Sequence, residues 1–173
     1  MVLWLAAACV PRFVDIAGTA AGNAFQVGQP IPPVVLPDHT GADVELASFA
    51  GRLMLLDIST MWCGPCQTLA AEIPATVADY DADSFAYVTV LQEDEHGDPP
   101  DQEDLVRWVD VFSLTTPVLG DATEPRATGE AVIEGTFPAL LLVDPDGVVF
   151  ERIEVAEDAA VRAAIDDALE TLL

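Results

Sequence analysis

The sequence predicts an α/β protein with a central mixed sheet flanked by helices, and three stretches carry that prediction. Leu53–Ile58 is apolar on both faces except at Asp57, the pattern of a strand buried within a parallel-type sheet. A helical pattern from Gly64 to Tyr80 follows it directly, with Leu69, Ile73, Val77 and Tyr80 at the spacing of one buried face. Phe85–Leu91 is a second apolar run of strand length, and the chain closes on an amphipathic helix over 157–173 with Val161, Ala164, Ile165, Ala168, Leu169 and Leu172 inward.

The remaining elements fall in order around these. Val34–Leu36 and Val44–Leu46 pair as a short N-terminal hairpin across a turn at Gly41. Ser59–Met61 reads as the loop between the buried strand and the helix, and Pro74 inside that helix should kink it. Gln92–Pro100 is an acidic loop containing His96. Asp101–Phe112 is a further helix whose apolar side is Leu105, Val106, Trp108, Val109 and Phe112. Ala139–Val143 and Val148–Ile153 form a hairpin around the turn Asp144-Pro145-Asp146-Gly147.

A chain of 173 residues that is 51% hydrophobic makes one domain with a substantial core. Its formal net charge is −24, with 30 acidic residues against 6 basic ones, all arginine. That excludes a general binder of nucleic acid or of anionic membranes, because both surfaces would repel it. The acidity reads as a salt-adapted, solvated surface or as a docking face for basic partners. Residues 1–24 differ in composition from 25–173 and are assigned as a leader or tether ahead of the domain. The apolar run Val2–Val10 is too short to span a bilayer. Leu5–Cys9 resembles the end of a bacterial lipoprotein signal, which would anchor the protein through a lipid on Cys9; the alternative is a structural helix that buries Cys9.

The chemistry-bearing stretch is Trp62-Cys63-Gly64-Pro65-Cys66. Strand, CxxC, then helix is the context that makes two cysteines a redox pair. The unpaired N–H groups at a helix N-terminus stabilise a thiolate placed there, so Cys63 is expected to ionise easily and act as nucleophile. Cys66, one turn on, is placed to resolve a mixed disulfide formed at Cys63. A desolvated carboxylate at Asp57 would have a raised pKa and could take the proton of Cys66.

Asp57, the WCGPC motif and Gly135-Thr136-Phe137-Pro138 together resemble the thioredoxin superfamily, and the flanking segments resemble the TlpA/ResA type of envelope thiol–disulfide proteins, related to peroxiredoxins in their first strands. The resemblance runs from about Val27 to the C-terminus. It implies a thioredoxin-like fold with an N-terminal hairpin extension and an inserted helix and strand around Asp101–Asp121. It implies a cis-proline at Pro138 facing the dithiol, with Pro117 the competing candidate, and a substrate surface of Trp62, Gly64, Pro65, Phe137 and Pro138. Gly64-Pro65 resembles the reducing end of the superfamily, where thioredoxin sits near about −270 mV and the oxidant DsbA near about −120 mV. The implied protein is therefore a reductant of protein disulfides fed by an upstream dithiol donor, monomeric, free of cofactors, and placed in the bacterial cell envelope or else the cytoplasm.

Two other classes are weighed against it. A peroxiredoxin-like peroxidase needs a PxxxTxxC context; Thr60 occupies its threonine position, but Leu56 stands where the proline belongs. A metal-binding or metallochaperone module would use the CxxC as soft ligands. Only Cys9, His39 and His96 could complete a four-ligand site, and none lies at ligand spacing.

Overall fold

A computed structural model describes residues 24–172. The Cys9 leader and the 17–23 tether lie outside the described residues. The chain runs β1 (Val35–Pro37), β2 (Asp43–Glu45), a 3-10 turn (Leu46–Phe49), β3 (Leu53–Thr60), α1 (Gly64–Ala78), β4 (Phe85–Glu93), α2 (Gln102–Phe112), β5 (Val118–Gly120), β6 (Ala139–Val143), β7 (Val149–Ile153) and α3 (Asp158–Leu172).

β1 and β2 form a separate two-stranded hairpin, and the other five strands form one sheet in the order β5-β4-β3-β6-β7. β3, β4 and β5 are mutually parallel, β6 runs antiparallel to β3, and β7 runs antiparallel to β6. The mixed sheet expected from the sequence is thus present. The crossovers β3-α1-β4 and β4-α2-β5 step in one direction across the sheet. Right-handed crossovers that step the same way place their helices on the same face. Accordingly α1 and α2 share one core layer, and α3, which follows β7, packs in it as well, with Leu69, Ile73, Leu105, Trp108, Val161 and Ile165 packed on Leu53, Leu55, Leu140 and Leu142. Among the described residues no long helix covers the other face. The N-terminal segment and the hairpin do so, burying Phe25, Leu36, Leu46 and Phe49 against Leu56, Ile58, Val88 and Leu141.

Several boundaries depart from the sequence reading for local reasons. Ser59 and Thr60 belong to β3, because Thr60 still finds a partner in Glu93 across a bulge, so only Met61 and Trp62 form the connection to α1. Leu46 begins the 3-10 turn and does not extend β2. Helix α1 runs through Pro74 and ends at Ala78; Tyr80 lies beyond it, its hydroxyl donating to Asp166 on α3. Val106 is exposed on α2, whose buried residues include Leu105 and Trp108. The start of α2 carries a capping box: Asp101 accepts from the Glu103 and Asp104 N–H groups, and Asp104 accepts from the Asp101 N–H.

Ile165 is wholly buried between α3 and the sheet. Ile165→Ala is expected to lower the unfolding free energy by about 3 kcal/mol, the cost of the lost apolar transfer plus a cavity. Val111→Ala on the exposed side of α2 should change it by less than about 0.5 kcal/mol; denaturant melts of both variants check the contrast.

Candidate active site

The site forms where β3 ends. β3 delivers its last residues to one end of the sheet's strands, and antiparallel β6 begins at that same end, with Ile58 opposite Ala139. The register brings Phe137 and Pro138 beside the dithiol although they lie far along the chain. Cys63 is the N-cap of α1, with extended backbone angles, and its Sγ accepts the Cys66 N–H at 3.3 Å. Pro65 falls in the first turn, where a missing N–H costs nothing. No acidic side chain occupies that turn, so the positive end of the helix is free to act on Cys63. Cys63 and Cys66 are joined as a disulfide with Cα atoms 5.2 Å apart.

The two sulfurs differ in access: Cys66 is fully buried at 0%, while Cys63 keeps 4% and lies at the surface side. The Phe137 carbonyl oxygen stands 3.5 Å from the Cys63 Sγ, and the Phe137–Pro138 peptide is cis. Pro117 is not among the cis peptides, so the proline facing the dithiol is Pro138. Trp62 is 49% exposed and meets the Phe137 ring edge-on at 6.0 Å. Gly64 has open space around the position of a side chain, so the smallness of this residue leaves the approach to Cys63 unobstructed.

Two positions that hold this surface in place were not picked out in the sequence. Glu93, at the end of β4, accepts the Trp62 indole N–H at 2.7 Å, and its backbone carbonyl accepts the Met61 N–H. Gln67 donates from its side chain to the Met61 carbonyl at 2.7 Å. Neither has a sequence signal, since each is recognised only through its contact with the 61–62 connection.

Asp57 is 1% exposed. It lies on the same side of β3 as Leu53 and Leu55, the side whose layer holds both cysteines. Burial is the largest influence on its carboxyl and raises the pKa; donation from Ser59 Oγ to Oδ1 at 2.5 Å and from Tyr87 Oη to Oδ2 at 3.3 Å opposes it in part. The Thr89 hydroxyl, on the cross-strand partner of Asp57, adds a weaker polar contact short of hydrogen-bond geometry. The balance leaves the carboxyl raised to about 6. Burial and the Asp57 charge in turn push the Tyr87 hydroxyl well above its usual range.

His39 and His96 lie elsewhere, on the turn beside β5 and in the loop after β4. Among the described residues no group of three or more His, Cys, Asp or Glu is placed to hold a metal ion.

A dithiol capping a helix at the end of a buried strand, faced by a cis-proline, is the redox centre of a thioredoxin-like thiol–disulfide oxidoreductase, and that is the class this fold and site define. The chain belongs to the AhpC/TSA family, whose model matches residues 27–152. It is 28% identical over 131 residues to the thiol-disulfide oxidoreductase ResA of Bacillus thuringiensis, covering 75% of this chain and 70% of that one. It is 27% identical over 127 residues to ResA of Geobacillus thermodenitrificans, covering 73% and 68%. Among solved structures it resembles a thiol:disulfide interchange protein of the thioredoxin family from Chlorobium tepidum, with a TM-score of 0.67, 18% identity and coverage of 84% and 99%. A hypothetical protein from Sinorhizobium meliloti matches with a TM-score of 0.70, 21% identity and coverage of 86% and 87%.

The Asp57 carboxyl ionises near 3.8 when unfolded and near about 6 when folded in the disulfide form. A raised folded pKa means stability that is fully present below the unfolded value and lost as pH rises through the folded one. Between about pH 4 and pH 7.5, the wild type is therefore expected to lose roughly 3 kcal/mol relative to Asp57→Asn. Denaturant melts of the two oxidised proteins across that range check it; parallel pH profiles would show an Asp57 that ionises normally.

Proposed function

We propose that this protein reduces protein disulfides, with Cys63 as the attacking thiolate, Cys66 as the resolving thiol and Asp57 as the proton acceptor for Cys66. The observation that supports these roles most directly is the asymmetry of the dithiol: Cys63 caps the helix and lies at the surface side, while Cys66 is sealed beneath it. A thiolate at Cys63 would keep the Cys66 N–H and the helix end as its stabilising partners. It attacks a client disulfide, one client sulfur leaves as thiolate, and a mixed disulfide forms at Cys63. Cys66 then passes its proton to Asp57 and attacks Cys63. The Cys63–Cys66 bond forms, the bond from Cys63 to the client breaks, and the client departs fully reduced. An upstream dithiol donor returns the oxidised protein to its starting state.

Trp62, Gly64, Pro65, Phe137 and Pro138 are the proposed client surface. An extended client segment could pair with the backbone at Phe137 as an added strand, which would bring its sulfur toward Cys63. Residues this close to the reacting sulfur decide which disulfides fit. The proposed setting is the cell envelope and the proposed state a monomer. Among the described residues no helix is long and apolar enough to cross a membrane; the proposed anchor is a lipid on Cys9.

Family membership alone leaves room for peroxidase chemistry, but the local residues favour disulfide exchange. Leu56, wholly buried in β3, takes the proline position of the peroxidase motif. Cys63 also has its partner one turn away in the same helix start.

Cys63→Ser is expected to abolish reduction of insulin disulfides, and Cys66→Ser to leave one reactive thiol that accumulates long-lived mixed disulfides. In the reduced wild type, iodoacetamide should label Cys63 before Cys66; mass mapping that finds the reverse order would exchange the two roles.

A further inference from the structure

Asp57 is a buried acid with no cationic partner among the described residues. The chain contains no lysine, and among the described residues no arginine forms an ion pair with Asp57. The groups facing it are few. From its own strand comes Ser59, from β4 come Tyr87 and Thr89, and its cross-strand partner on β6 is apolar Leu140. The Cys63–Cys66 pair enters the same layer from α1. Asp158 of α3 reaches Tyr87 electrostatically and makes its hydroxyl still harder to ionise.

We propose, resting on the reading of Asp57 as the base for Cys66, that the Ser59 and Tyr87 hydroxyls are its positioning residues, a neutral pair of donors that holds the carboxyl ready to exchange a proton in either direction. Each hydroxyl grips a different oxygen, Ser59 on Oδ1 and Tyr87 on Oδ2, so the carboxyl plane is fixed from two sides. Both hydroxyls can reverse their role. When Asp57 is ionised they donate to it; when it carries the proton, either one can accept from it. Neither protonation state then strands a buried polar atom, which would cost the full desolvation penalty of that atom. A lysine or arginine could donate but not accept, and would hold Asp57 ionised. Tyr87 suits the role because its own proton is held firmly, so it hands Asp57 a hydrogen bond and not a proton.

The proton path balances. The Cys66 thiol gives its proton to Asp57, the Cys66 thiolate forms the bond to Cys63, and the departing thiolate or solvent receives the proton from Asp57 afterwards.

The test compares full-length wild type, Ser59→Ala, Tyr87→Phe and Thr89→Val. Carbon-detected NMR follows the Asp57 carboxyl of the oxidised proteins. Single-turnover closure follows release of thionitrobenzoate from a mixed disulfide at Cys63, as a function of pH. Removing either hydrogen-bonding hydroxyl should move the Asp57 titration upward by about one pH unit, because a donor to the charged form is lost. The midpoint of the closure profile should move with it. Thr89→Val should shift both by less, and Ser59→Ala in an Asp57→Asn background should leave the closure profile of Asp57→Asn unchanged. The two hydroxyls are tested separately, so misfolding of one variant leaves the other decisive. An Asp57 titration that stays in place in Ser59→Ala or Tyr87→Phe would overturn the positioning role of that hydroxyl. A titration that shifts while the closure midpoint stays fixed would instead overturn Asp57 as the base, leaving the disulfide exchange at Cys63 and Cys66 standing.

Discussion

Everything at this site hangs on the burial of β3. All eight of its residues are buried, apolar and polar alike, because β4 pairs with it on one edge, β6 on the other, and both faces of the sheet are covered. A strand with four neighbours in this sense has no freedom of register, since sliding it by one residue would exchange the contents of the two core layers. Its alternation therefore assigns Leu53, Leu55 and Asp57 to the helical layer and Met54, Leu56 and Ile58 to the opposite one. The same constraint sets where the strand ends, and so where Cys63 caps α1 and where Phe137 arrives from β6.

Asp57 and Asp121 show how one fold treats two buried carboxylates differently. Asp121, just after β5, is likewise shut off from solvent, although it sits less deep in the protein than Asp57, and burial acts to raise its pKa too. It accepts from the hydroxyls of Thr123 and Thr128 and from the backbone N–H groups of Thr123, Ala127 and Thr128, and these donors outweigh burial and hold its carboxyl below the usual range. It thus stays ionised and ties down the loop that leads toward Phe137. Asp57 receives two side-chain hydroxyls and no backbone donor among its bonds, so desolvation wins and its proton is exchangeable near neutral pH. A shallower position and more donors, backbone N–H groups among them, keep Asp121 ionised, where Asp57 is suited to proton transfer.

The surface around the dithiol follows a similar division. Trp62 is broadly exposed yet anchored, by Glu93 at its indole nitrogen and by the Phe137 ring at its side. On the proposed function, an exposed aromatic held in one orientation would offer a client apolar area without much ordering cost at the moment of binding. Glu93 also sets an acidic side chain against the Trp62 indole, in keeping with a chain whose net charge is −24.

Much of this was legible in the residues alone. The apolar run before WCGPC, the helix after it and the amphipathic C-terminal helix announce themselves because their patterns are local and strong, and the motif itself carries the helix-capping chemistry of Cys63. Asp57 could be singled out as the lone polar residue of an apolar strand. The hydroxyls that surround it could not, because Tyr87 and Thr89 reach it only through the parallel register of β3 with β4, and Ser59 looked like loop until the bulge at Thr60 extended the strand. Glu93 and Gln67 were invisible for the same reason: their partners are set by where the 61–62 connection falls in space. Nor could composition say that α1 and α2 share one face with α3, the first two through successive crossovers of the same hand and α3 by its packing after β7. By itself, the sequence determined the elements and the dithiol, through periodicity and helix-end chemistry that act over a few residues. Tertiary structure alone decided which hydroxyls meet the buried carboxyl and which carbonyl meets the sulfur, because strand register and crossover hand join residues that no local pattern connects.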